Sequence, residues 1–184
     1  HPLRTVSSRP NRHPSNAQIT ATGAAASNVD LYQINCTYYD ALGQNDLDYL
    51  MARAIQFFAP GIPQVYYAGL LTIPNDMVLL NQTHVGRDIN RPYLNREKVQ
   101  QALQKPVVNA LIQLIKLRNS SAAFHGRFTM AASGKSLTLT WSAVNAQASL
   151  NLDFANKQGL ITLLDEQSIE TQISLADLLT PAQG

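Results

Sequence analysis

Apolar side chains recur in two different rhythms along the chain, and the change falls near residue 123. Within 46–58, Leu47, Leu50, Met51, Ala54, Ile55 and Phe58 recur at three- and four-residue spacing, which puts them on one helix face. Asp46 is the expected N-cap, and Pro60-Gly61 ends the helix. Ile62 to Tyr67 predicts a buried strand, with Pro63 near its start, where a missing amide does least harm. A strand with almost no exposed face suits a parallel sheet covered by helices. In such folds ligands gather beyond the carboxyl ends of the strands. The long polar stretch 68–94, which carries Arg87 and Arg91, is therefore the first place to look for a site.

Asn95 is placed to cap a short helix over Arg96 to Leu103. Pro106 suits a first helical position, so a second helix is expected from there to about residue 118. Val107, Ala110, Leu111, Leu114 and Ile115 form its apolar stripe, with Arg118 near its negative end. Beyond about residue 126 only strands and turns are expected. Leu137, Leu139 and Trp141 alternate with threonines, and Ala148, Leu150, Leu152 and Phe154 alternate in turn, with Asn145-Ala146 between the runs. Gly159 to Leu164 and Ile169 to Ile173 read as further strands, giving a small antiparallel β-domain. Residues 1–20 lack either period and read as loop or disorder. The small side chains of 21–28 form a flexible lead-in to Asp30-Leu31-Tyr32-Gln33, so residues 23–33 are expected to be mobile.

Composition narrows the function classes. An apolar fraction of 45% and a charged fraction of 14% fit a globular chain of one or two domains. A net charge of +2 with no basic run gives nucleic-acid binding no support. No apolar run approaches the ~18 residues of a membrane span, and no signal peptide is visible. The single cysteine, Cys36, suits a reducing compartment and reads as a buried filler. His1, His13, His84 and His125 lack the mutual spacing of a metal site.

Asp30-Leu31-Tyr32-Gln33-Ile34-Asn35-Cys36-Thr37-Tyr38-Tyr39, then 56–67, Asn75-Asp76 and Gly86-Arg87-Asp88-Ile89-Asn90-Arg91, occur in an order that resembles the sucrose phosphorylase family. That family lies within the α-amylase superfamily of retaining α-glucosyl enzymes (glycoside hydrolase family 13). The resemblance covers residues 21–123 most closely. A whole (β/α)8 barrel needs roughly 250 residues, so it implies the C-terminal part of a barrel followed by an antiparallel β-domain. The implied segments are 1–43, the remnant of an insertion domain with an acceptor loop; 44–123, the end of the barrel; and 124–184, the β-domain. On this reading 46–58 is the seventh barrel helix and Ile62 to Tyr67 the eighth strand.

The resemblance also implies roles. Arg87 would hydrogen-bond the donor glucose, and Asp30, Tyr32 and Gln33 would form the mobile loop that admits the acceptor or phosphate. Arg91 would be structural, and Pro92 stands where the family often has His. The family's nucleophilic Asp, acid/base Glu and third Asp belong to earlier strands, and no position here matches them. The intact parent is thus expected to be a glycosyltransferase of the sucrose phosphorylase type, and this chain alone inactive. Phosphate would be a co-substrate, with no metal or organic cofactor. The implied partners are sucrose or a related glucoside (sucrose 6'-phosphate or glucosylglycerate, with fructose, fructose 6-phosphate or glycerate as the acceptor) and phosphate, in the cytoplasm, with room for a homodimer. The alternatives are part of an amylase-like glucan hydrolase, a non-catalytic remnant, or a β-domain for carbohydrate contact or assembly.

Each candidate also has a plainer reading. Arg87 would pair with Asp88. Residues 30–33 would be an ordinary turn before a strand. Asp46 and Asp48 mark a helix start, and Tyr38, Tyr39, Tyr66 and Tyr67 would pack the barrel. Trp141 is expected in the β-domain core rather than stacked on a sugar.

Overall fold

The structure, a computed structural model, describes residues 4–5, 18–20, 33–83 and 85–180, with side chains from Asn35 onward. In chain order the elements are β1 (Arg4–Thr5), β2 (Gln18–Thr20), β3 (Gln33–Asn35), α1 (Tyr38–Ala41), α2 (Asp46–Phe58), α3 (Tyr67–Leu70) and α4 (Met77–Thr83). A 3-10 turn (Gly86–Asn90), α5 (Arg96–Leu103), α6 (Pro106–Ser120) and a second 3-10 turn (Ala122–His125) come next. Then come β4 (Arg127–Ser133), β5 (Ser136–Ser142), β6 (Gln147–Asp153), β7 (Gln158–Leu164), β8 (Glu170–Ser174) and a last 3-10 turn, Asp177–Leu179. They form two compact units, one of residues 1–45 and 65–103, the other of 46–64 and 104–184.

The second unit contains α2, α6 and a five-stranded antiparallel meander in the order β4-β5-β6-β7-β8. The helical periods hold as expected. Leu50, Ala54 and Phe58 of α2 are buried, as are Val107, Val108, Leu111 and Leu114 of α6. Pro106 occupies the first turn of α6, where its missing amide costs no intrahelical bond. Asp46 is the first helical residue rather than the cap, one position inside the expected boundary.

In the sheet, Leu139 and Trp141, then Ala148, Leu150 and Leu152, turn to the buried face at two-residue spacing. Ala143 N–H closes the β5–β6 turn by donating to the Ala146 carbonyl at 2.8 Å. The Trp141 indole Nε1–H donates to the Phe58 carbonyl at 2.7 Å, satisfying the end of α2. The Arg118 guanidinium lies 4.3 Å over the Phe124 ring and 5.0 Å over Trp141, and donates to the Gly61 carbonyl at 3.1 Å. Trp141 is thus core packing, as its alternating strand predicts.

β4 falls where only strands and turns are expected, but no apolar alternation marks it individually, and the reason is its exposure. All of its side chains but Phe128 face solvent, so it carries no apolar alternation. The stretch 62–66 departs further. It is not a buried strand: it has no regular structure and pairs with no described segment, Ile62 is 98% exposed, and Tyr67, the last residue of the expected strand, already begins α3. A strand exists only through bonds to neighbouring strands, and no parallel ladder is present among the described residues. Side chains hold it instead, with Gln56 Nε2 donating to the Gln64 carbonyl at 2.8 Å. For the same reason Tyr38, Tyr66 and Tyr67 are exposed rather than packed in a barrel.

The first unit contains the antiparallel sheet β1-β2-β3 with α1, α3, α4, the Gly86–Asn90 turn and α5. Its buried side chains include Asn35, Thr37, Asp40, Leu80, Ile89 and Ala102. Asn95 Oδ1 accepts from Lys98 N–H at 2.9 Å, the expected cap of α5. The loop 68–94 is therefore built of two short helices and a 3-10 turn rather than left without structure.

Candidate functional site

Arg87 sits in the Gly86–Asn90 turn, closed by Asp88 N–H donating to the Val85 carbonyl at 2.9 Å. Ile89 is fully buried and anchors the turn, and its carbonyl accepts from Asp76 N–H at 2.8 Å. The Asp76 carboxylate caps α4 by accepting from Leu79 N–H at 2.8 Å. With Ile89 turned inward, the Arg87 side chain is exposed and makes no hydrogen bond or ion pair among the described residues. The plainer pairing with Asp88 is not made. A guanidinium so presented offers five fixed donors to a polyol or an anion.

Around the turn, Tyr67 O–H donates to the carbonyl of buried Pro92 at 2.9 Å. The Tyr66 and Tyr67 rings lie 4.4 Å apart at 50°. Partial loss of solvent at its hydroxyl, then the hydrogen-bonding and charge of Tyr66, push the Tyr67 phenol up to about 12, with Arg91 opposing and Tyr93 adding to the rise. Pro92 thus has a fixed place in this loop, its carbonyl held by a phenol.

Gln33 opens β3 and pairs with Thr20 across the ladder; its side chain lies outside the described residues. Asp30 and Tyr32, and the expected mobility of 23–32, also fall outside them. Immediately after β3, a set of hydrogen bonds fixes the chain. Thr37 caps α1, its Oγ1 accepting from Asp40 N–H at 3.2 Å. Thr37 N–H donates to Asn75 Oδ1 at 2.7 Å, and Asn75 N–H donates to the Asp40 carboxylate. Asn75 Nδ2 donates to Cys36 Sγ at 3.4 Å, and burial raises the Cys36 thiol above its usual range, with Asn75 opposing. β3 and the Gly86–Asn90 turn lie against each other. The structure therefore brings the chain after Gln33 and the Arg87 turn into one unit.

Asp40 and Thr37 were given no role from sequence. Their signal was legible: Thr37-Tyr38-Tyr39-Asp40 fits the capping-box pattern. Among the described residues, no group of three His, Cys, Asp or Glu side chains is placed to hold a metal. No helix among the described residues is long and apolar enough to cross a membrane. The second unit has a separate open cavity of about 300 Å³, lined by Ser120, Ser121, Ala146, Asp165, Glu166 and Gln167.

No protein-family model matches the chain. A sucrose phosphorylase of Agrobacterium vitis is 57% identical over 143 residues, 77% of this chain and 29% of that protein. The chain matches the C-terminal region of the sucrose-type phosphorylases. A sucrose phosphorylase of Bifidobacterium adolescentis is 52% identical over 141 residues, 76% of this chain and 28% of that protein. The solved sucrose 6F-phosphate phosphorylase of Thermoanaerobacter thermosaccharolyticum superposes with a TM-score of 0.78 at 39% identity, covering 86% of this chain and 33% of that one. The fold is that of the C-terminal part of an amylase-like enzyme, including a five-stranded antiparallel sheet. The chain spans less than a third of the length of these sucrose phosphorylases.

Proposed function

We propose that this chain is the C-terminal part of a retaining α-glucosyl phosphorylase, in which Arg87 binds the donor glucose and Asp30, Tyr32 and Gln33 receive the acceptor or phosphate. The observation that carries this is the exposed Arg87, whose side chain has no partner among the described residues, on a turn fixed from below by Ile89 and Asp76. These similar proteins are phosphorylases, which favours this reading over a glucan hydrolase or a non-catalytic β-domain.

The chemistry is double displacement. A carboxylate attacks the anomeric carbon as an acid protonates the leaving oxygen, and phosphate then displaces the carboxylate with net retention. With sucrose as donor the products are fructose and α-D-glucose 1-phosphate. Neither carboxylate has a counterpart in this chain, so the chain alone does not phosphorolyse sucrose. Segments 1–43, 44–123 and 124–184 belong to the insertion domain, the barrel and the β-domain. The parent works in the cytoplasm on small sugars and phosphate, without metal or organic cofactor, and a homodimer is compatible with it.

The test is a hybrid in which the matching segment of the Agrobacterium vitis enzyme is replaced by this chain. Glucose 1-phosphate released from sucrose only when phosphate is present supports the proposal. Glucose released at the same rate with or without phosphate identifies a hydrolase. Activity of the isolated chain would show that the catalytic carboxylates lie within it after all.

A further inference from the structure

We infer that Asn75 is a positioning residue that ties the chain just after Gln33, at Thr37, to the turn carrying Arg87; this rests on the function proposed above. In an ordinary capping box the acidic side chain at the third helical position reaches back to the cap residue's own amide. Here Asn75 is interposed. Its Oδ1 takes the Thr37 amide proton at 2.7 Å, and its own amide donates to the Asp40 carboxylate that would otherwise close the box. Thr37 and Asp40 are buried, so the bonds Asn75 makes cannot be replaced cheaply by water. The other Asp40 oxygen accepts from Gln44 Nε2 at 3.1 Å, which fixes the carboxylate's orientation toward Asn75.

The next peptide carries the constraint onward. Asn75 Cα, which carries the amide side chain, and Asp76 N–H lie in one planar peptide unit, so a shift of the Asn75 Cα is passed to the Asp76 amide. Asp76 N–H donates to the Ile89 carbonyl at 2.8 Å, two residues from Arg87. Two consecutive residues thus hold Thr37, four residues after Gln33, and Ile89 at once. In the proposed reaction phosphate must reach the carbon that Arg87 helps to hold. If the acceptor segment slips relative to that turn, phosphate loses alignment while water, which needs none of the loop's contacts, still reacts. Asn75 touches no reacting atom, and it acts through the segments it joins.

Two measurements on Asn75→Ala test this. In the chain as it stands, amide exchange at Thr37, Asp76 and Arg91 should quicken together by about tenfold, the loss of one net hydrogen bond shared by both segments. Faster exchange at Thr37 alone, with Asp76 and Arg91 unmoved, overturns the coupling. In the hybrid enzyme, the ratio of glucose to glucose 1-phosphate at fixed phosphate should rise about fivefold or more. That ratio does not depend on how much of the variant is folded. Both products falling by one common factor overturns the positioning role. A hybrid that makes no glucose 1-phosphate even with Asn75 intact defeats the function proposed above instead, and the exchange measurement then decides the coupling by itself.

Discussion

Arg87 owes its availability to its neighbours. Ile89 is buried, the carbonyl of Ile89 is held by Asp76, and the turn leaves the guanidinium exposed. A charge-assisted hydrogen bond to a sugar hydroxyl contributes about 1.5–3 kcal/mol. In the hybrid, Arg87→Ala should lower kcat/KM for sucrose by about one to two orders of magnitude. Arg87→Lys should not restore it, since an ammonium lacks the planar fork. An Ala variant within about twofold of the parent would return Arg87 to an ordinary surface residue. Tyr67 gives a second test. Its phenol sits near 12 in the folded chain against 10 for the free group. The folded state therefore keeps a proton that the unfolded state has lost between those values, so this contribution to stability is complete below pH 10 and disappears as pH rises through 12. Spectrophotometric titration should show one late phenol that Tyr67→Phe abolishes; a titration unchanged by that substitution would refute the assignment.

Elements whose signal is local were legible, and those defined by distant partners were not. α2 and α6 follow from apolar spacing within one helix, and β5, β6 and β7 from alternation within one strand. β4 shows no alternation because its side chains are almost all exposed. The Thr37–Asp40 pair carries a local cap signal, but its partner Asn75 lies 38 residues from Thr37, which no window reveals. The join between α2 and the sheet is a similar case, since Trp141 and Phe58 are 83 residues apart. Trp141→Phe keeps a ring for Phe124 and Arg118 but leaves the Phe58 carbonyl without its donor in a buried setting. It should cost about 1–3 kcal/mol in urea unfolding followed by far-ultraviolet circular dichroism, because the only tryptophan is gone. A loss below about 0.5 kcal/mol would mean that this bond contributes nothing net.

At the scale of the whole molecule, the stretch 62–66 separates what a segment specifies from what its neighbours must supply. Its sequence carries strand-forming Ile62, Val65 and Tyr66, and its backbone is extended at Tyr66, yet it has no ladder and Ile62 is almost wholly exposed. Strand propensity describes fit to a pleated, half-buried surface, and that surface comes from other strands. If the segment is the eighth barrel strand, the hybrid supplies its partners on both sides. Amide exchange should then discriminate between the two contexts. In the isolated chain Gln64, Val65 and Tyr66 should exchange near the rate of unprotected peptide, since no described residue accepts from their amides. In the hybrid the same amides should slow by about a thousandfold or more, as expected for a buried central strand in a stable domain. Pro63 has no amide and serves as the silent position. Fast exchange at all three amides in a hybrid that still turns over sucrose would show that the segment is a connector, and that the barrel closes without it.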